Sequence, residues 1–326
     1  MLASYDVHPA AVDSIAIDRA EALDAWLRAR LGAPWDALLD SWNCRVSRGA
    51  CRKSLYRFHL LANGIARVAM SPNGGMDLAN RLEDWGTRPL EEVLPLAEEE
   101  RASFALVADH PVIADDLASA WHPQFEGRSL AGWPASHICI GFSERFEAAM
   151  DLLGCAPALQ GLVRSHCAAV CILKADPPEE RGTCISLTSK SVPGLVYMSD
   201  IPLILTAEAL VHESAHLCLA GWEQLLSLYS EPDRLVSTPL RSDPRPVSGL
   251  MHQVFVLVRL AELYDALSSS QSDSVNRNRA QVEKRRGVQR SDMLSGLSAL
   301  ETCTSSLTPE GIELLRALQE RAGGRS

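Results

Sequence analysis

Apolar residues recur at helical spacing near the start of the chain. Ala20, Leu23, Leu27 and Leu31 share one face, and Asp18 is placed to cap that helix. A second apolar-periodic segment runs over residues 53–68, and an acidic helix is expected over 90–106, after breaks at Gly74-Gly75 and Arg88-Pro89. From about residue 137 the texture changes. Residues 137–142, 168–173, 183–188 and 195–199 are short β-branched or apolar runs bounded by Pro, Gly and Ser, the signature of strands. They lead into an apolar stretch, 203–226, that reads as one helix, with Asp200 as its N-cap and Pro202 in its first turn. A polar, proline-marked loop follows over 230–246. Next comes a helix over about 247–267 that is apolar on most sides and therefore buried. A flexible Ser/Gln/Asn-rich loop is expected over 268–278, with charged helices after it.

This order predicts an α+β fold. A mostly helical N-terminal part is followed by a small β-sheet leading into one long helix and a second, buried one. The organisation implied is a helical scaffold or substrate-recognition region over 1–135, a chemical region over 136–270, and C-terminal helices over 271–326.

Composition narrows the function classes. With 326 residues, 47% hydrophobic and 22% charged, the chain has material for a substantial core. No uncharged apolar run approaches a membrane span, and the start lacks a basic flank and hydrophobic core, so a cytoplasmic protein is expected. A net charge of -10 argues against nucleic acid or an acidic membrane as partner, because a phosphate-binding surface needs a positive field. Lys284-Arg285-Arg286 is the one basic cluster that qualifies this. The nine cysteines are odd in number and scattered, which suits buried free thiols in a reducing compartment. Cys167 and Cys171 lack the second close pair that a zinc site needs.

The chemistry lies in the 203–226 helix, which contains His212-Glu213-Ser214-Ala215-His216, an HExxH motif. Imidazoles four residues apart on a helix project from one face, so one divalent metal can be held by both. Their neighbours Leu210, Val211, Leu217 and Leu219 argue for partial burial, and a buried imidazole pair needs a partner such as a metal. Catalytic metal sites commonly have three protein ligands. The HExxHxxGxxH continuation is absent, since Leu219 stands at the Gly position and Trp222 at the last His. Downstream candidates are Glu223, Glu231, His252 and Glu262. His252 ranks first because it sits in an apolar helix where an unpaired imidazole is costly. Glu208, one turn before His212, could orient that ring or be a solvated carboxylate. Glu213 is the general base if the metal is zinc and the chemistry is peptide hydrolysis.

The combination Glu208-Ala209-Leu210-Val211-His212-Glu213 with a following Arg241-Ser242-Asp243-Pro244-Arg245-Pro246, after Ser191-Val192-Pro193-Gly194-Leu195-Val196-Tyr197, is more specific than HExxH alone. Over about a quarter of the chain it resembles the bacterial HExxH-type peptide-modification proteins. These are understood as 2-oxoglutarate-dependent β-hydroxylases of ribosomally made natural-product precursors. The resemblance implies an Fe(II) centre held by His212, His216 and a third residue, most readily His252, with 2-oxoglutarate and O2 as cosubstrates and a precursor peptide as partner. A fixed cation must then bind the distal carboxylate of 2-oxoglutarate. Arg suits this because its planar fork meets a carboxylate bidentately. Arg245 is the first candidate, then Arg241, with Arg259 a weaker one. A plain turn, in which Asp243 caps the next helix and the arginine makes a surface ion pair, is the alternative. Leu240 departs from the family pattern, which favours an aromatic before Arg241, and this bears on the substrate pocket. Two readings compete with the hydroxylase: a zinc metallopeptidase using Glu213, and a peptide-binding scaffold without catalysis.

Overall fold

The computed structural model describes residues 9–41, 58–59, 61–63, 65–66, 99–100, 105–107, 113, 117, 141–173, 186–189 and 191–323. The fold is mostly helical with a small mixed sheet, the α+β class expected from sequence. The chain forms two compact units. One contains 10–143 and 167–201; the other contains 144–166 and 202–326.

The first unit holds α1 (Pro9–Leu31), α2 (Ala33–Ser41) and a five-stranded sheet. Asp18 lies inside α1 and does not cap it, because the helix begins nine residues earlier. Ala20 and Leu27 are fully buried, as their spacing requires. Asp24 accepts from Trp35 Nε1 at 2.7 Å and from Arg28 at 3.0 Å, tying α1 to α2. The described residues between 58 and 66 are helical.

The sheet order is β1 (Glu99–Glu100), β2 (Ala105–Val107), β3 (Ala169–Leu173), β5 (Leu195–Ser199), β4 (Ser186–Thr188). Strands β2, β3 and β5 run parallel and the two edges antiparallel. The three strands expected around 168–199 are thus present. The acidic helix expected over 90–106 is corrected at its described residues, which are β1 and part of β2: pairing with β2 overrides the helical preference of Glu99 and Glu100. Every residue of β3 and β5 is buried. Val107, Ile113 and Leu117 share one core cluster with Leu173 of β3 and Leu195 of β5. The strand expected over 137–142 is corrected at Phe142. Gly141, at φ +82°, turns the chain there into α3 (Phe142–Leu152), and residues 137–140 lie outside the described residues.

The second unit is helical: α3, α4 (Pro157–His166), α5 (Leu203–Leu225), α6 (Val247–Ser269), α7 (Asp273–Arg277), α8 (Arg279–Glu301) and α9 (Pro309–Gly323). Helix α5 carries the HExxH motif. Pro202 occupies its N-cap, and its carbonyl accepts from Thr206 N at 2.9 Å and Thr206 Oγ1 at 3.2 Å. Asp200 is therefore not the cap, because Thr206 bonds back to Pro202 at the helix start. Leu226 ends α5 in an extended conformation. Among the described residues α5 is long and apolar enough to cross a membrane, but 67% of its most apolar window is buried within the protein, as befits a core helix.

Helix α6 starts behind a two-stranded ribbon, β6 (Leu235–Val236) with β7 (Arg245–Pro246). Val247 N donates to Arg234 O at 2.9 Å and Ser248 Oγ to Pro232 O at 3.1 Å, which fixes the entry to α6; Asp243 does not cap it. Gly296 of α8 lies so close to α6 that a β-carbon there would meet Val254 Cγ2 at 3.0 Å. Part of the expected 268–278 loop is ordered as α7. Ser272 caps it by accepting from Val275 N at 3.3 Å, and Val275 is buried.

Candidate metal centre

Helix α5 brings His212, Glu213, His216 and Glu223 together; α6 supplies His252. His212, His216 and Glu223 share one face because they are spaced four and seven residues apart. His212 Nε2 and His216 Nε2 are 3.1 Å apart. Two metal–nitrogen bonds of about 2.1 Å would meet at roughly a right angle across that gap.

His252 lies on the other edge of the His216 ring, with the two Nδ1 atoms 3.2 Å apart. These rings are near coplanar, 25° between planes, with centroids 5.5 Å apart, so the nitrogens face each other in plane. The three histidines thus stand in a row with His216 in the middle. One ion cannot take both edges of a single imidazole. Among the described residues no three His, Cys, Asp or Glu side chains converge on a point as they stand, and a three-histidine set needs one ring to rotate.

Both motif imidazoles are held neutral. Burial pushes the His212 pKa down to about 4, although its side chain is 39% exposed. Burial also drives His216 well below the usual histidine range, helped by the neighbouring His212, His252 and Arg245. Neutral imidazoles present the lone pairs that a divalent metal binds. The donor set therefore fits iron or zinc, both of which accept imidazole nitrogen.

Glu213 is 2% exposed, and its Oε1 is 3.9 Å from His212 Nε2. A buried carboxylate thus lies beside the nitrogen that would face a metal. Arg245, in β7, is close enough to His216 to disfavour its protonation. Burial, then the charge of Arg241, lowers the pKa of Arg245 itself. Arg241 instead donates to Asp243 at 3.1 Å on the exposed side of the loop. Of the two arginines in this segment, Arg245 is the one whose charge acts on the histidines.

The remaining candidates have other partners. Glu262 pairs with Arg259 at 3.2 Å and Arg321 at 3.2 Å. Arg259 is 1% exposed, with its guanidinium 5.2 Å from the Phe255 ring centroid. Glu231 accepts from Ser306 Oγ at 2.8 Å. Glu208 does not orient His212. It is buried and accepts from Tyr264, from Arg285 Nε at 2.9 Å and from Gln289 at 3.4 Å. Lys284-Arg285-Arg286 is accordingly no open basic patch, since Arg285 serves Glu208 and Arg286 donates to Asp265 at 2.7 Å. Cys167 and Cys171 are buried free thiols, and burial pushes Cys167 up to about 12, far from the thiolate that zinc requires.

Tyr229 carries no motif signal, yet its hydroxyl donates to Glu223 Oε1 at 2.6 Å. The second oxygen, Oε2, is 3.0 Å from His252 Nε2. Burial raises the Glu223 pKa, but the hydrogen bond and charge of His252 and the Tyr229 hydroxyl outweigh it, so the carboxyl lies below its ordinary range. Burial and the adjacent carboxylate push the Tyr229 phenol up, so it remains a donor. No family model and no curated protein matches the chain.

Proposed function

We propose that this protein is an Fe(II)- and 2-oxoglutarate-dependent oxygenase that hydroxylates a side-chain carbon, Cβ, of a ribosomally made peptide in the cytoplasm. The observation that carries the reading is the His212–His216 pair, with Nε2 atoms 3.1 Å apart, next to the positive charge of Arg245. Iron bound there would supply O2 activation coupled to oxidative decarboxylation, with peptide C–H, 2-oxoglutarate and O2 giving peptide C–OH, succinate and CO2.

The chain's own residues divide the remaining work. His212 and His216 hold the metal, and His252 completes the set once one ring of the row rotates. Arg245 binds the distal carboxylate of 2-oxoglutarate; its half-buried setting favours this because a charge-assisted pair strengthens where water is scarce. Glu213 keeps a carboxylate beside His212 and so sets the local field around the first ligand. The resemblance of residues 184–264 to the HExxH-type peptide hydroxylases supports the same assignment.

One observation favours a second reading, a zinc metallopeptidase: Glu213 Oε1, 3.9 Å from His212 Nε2, is near where a metal-bound water needs a base. That reading gives Arg245 no task.

Succinate formation separates them. The purified chain, supplied with Fe(II), ascorbate, O2 and 2-oxoglutarate, should form succinate above a His216→Ala control, even slowly without peptide. No succinate from iron-loaded protein, with Glu213-dependent cleavage of a peptide library by the zinc form, would replace the first reading by the second.

A further inference from the structure

We infer that Glu223, anchored by Tyr229, is a positioning residue that holds His252 as its Nε2–H tautomer and thereby leaves Nδ1 as the lone-pair nitrogen that His252 turns towards His216. The inference rests on the metal reading above, and it adds a task for two residues that the reading leaves unassigned.

A neutral imidazole has one N–H and one lone pair, so fixing the proton on one nitrogen fixes the other as the acceptor or ligand. Glu223 Oε2 accepts from His252 Nε2 at 3.0 Å, and the lone pair then falls on Nδ1, which faces His216. A carboxylate on a flexible side chain holds a ring poorly unless it is itself held. Tyr229 does this, donating to the other oxygen at 2.6 Å from just beyond the end of α5. Both carboxylate oxygens are therefore occupied, which argues against Glu223 as a ligand in its own right. The pair is also sheltered: the side chains are 24% and 27% exposed, so water competes less than at an open surface pair. Carboxylates that take the second N–H of a ligating histidine orient the ring and raise its basicity, and their loss commonly costs about 10- to 100-fold in metal affinity.

The test is a double-mutant cycle on Co(II) affinity, using the full chain and Co(II) as the probe. Glu223→Ala should weaken binding about 10- to 100-fold. In a His252→Ala background the same change should cost nothing further, because Glu223 acts through that ring. Glu223→Gln, which keeps a carbonyl acceptor, should recover most of the affinity, and Tyr229→Phe should fall between. An equal cost of Glu223→Ala in both backgrounds, or no cost in either, overturns the inference. If the wild-type chain binds no Co(II) at all, the metal reading fails, and the proton itself becomes the readout. A slowly exchanging His252 Nε2–H, seen in ¹⁵N spectra of the metal-free wild type and lost in Glu223→Ala, upholds the inference; its absence from the wild type overturns it.

Discussion

His212 Nε2 faces His216 Nε2 across 3.1 Å, on consecutive turns of one helix, and burial keeps both rings neutral. That neutrality has a cost in acid. The unfolded chain takes up these protons near pH 6.5; the folded chain takes up the His212 proton only near pH 4, and the His216 proton well below the usual histidine range. Between those values the unfolded state binds more protons, so stability rises with pH. The metal-free protein should therefore hold a level Tm above pH 7 and lose stability as the pH falls from 6.5 towards 4. A His212→Gln/His216→Gln double variant should show a shallower loss between pH 6.5 and 5, where carboxylates contribute least. Thermal melts across that range check it.

Arg245 and Arg241 are four residues apart and differ in environment. Arg241 spends its charge on exposed Asp243, while Arg245 acts on His216. Replacing Arg245 by Ala should weaken 2-oxoglutarate binding about 10- to 100-fold, the worth of a charge-assisted bidentate contact. Arg241→Ala should change it by less than about 3-fold, since exposed pairs contribute little. Calorimetric titration with 2-oxoglutarate compares the two.

Glu208 lies one turn before His212 but binds Tyr264, Arg285 and Gln289, joining α5 to α6 and α8. Arg285→Met leaves a buried carboxylate short of its cation and should destabilise the fold by about 2–3 kcal/mol. The figure lies at the low end because the Arg285 side chain is 36% exposed. Adding Glu208→Met should restore much of the loss. Urea unfolding of the single and double variants measures both effects.

A β-carbon on Gly311 would overlap the carbonyl oxygen of Leu228, the residue before Tyr229. Thr308 N donates to that same carbonyl at 3.1 Å. Gly311→Ala must push the 227–229 segment aside, at about 1–3 kcal/mol. The shift should also lower Co(II) affinity in the manner of Tyr229→Phe, which separates it from a purely local strain.

What could be read from the chain follows from the range of the forces involved. The two long helices are visible because apolar runs of that length have few other outcomes; α5 was placed within one residue at its end and α6 within two. Their starts, at 203 and 247, are read equally well, and it is the capping residue that is not. Asp200 has the right chemistry for a cap, but Thr206 bonds back to Pro202, a local contest that composition does not decide. Glu99–Glu100 looked helical in isolation and is a sheet edge through pairing with β2. The motif histidines and His252 were legible as residue types, and Arg245 through its place before α6. Glu208 was placed on the correct helix but given the wrong neighbours, because periodicity says which face a residue occupies and not which helix covers it. The link from Tyr229 through Glu223 to His252 joins residues whose contact depends on how α5 and α6 pack, so no local pattern announces it.

The most direct measurement is the anaerobic absorption spectrum of the wild-type protein loaded with one equivalent of Fe(II) and saturated with 2-oxoglutarate. An oxo-acid chelated at the iron should give a visible charge-transfer band that is lost in His216→Ala and needs more 2-oxoglutarate in Arg245→Ala. A protein that takes up its full equivalent of iron, binds it through His212 and His216, and still shows no band would contradict the assignment.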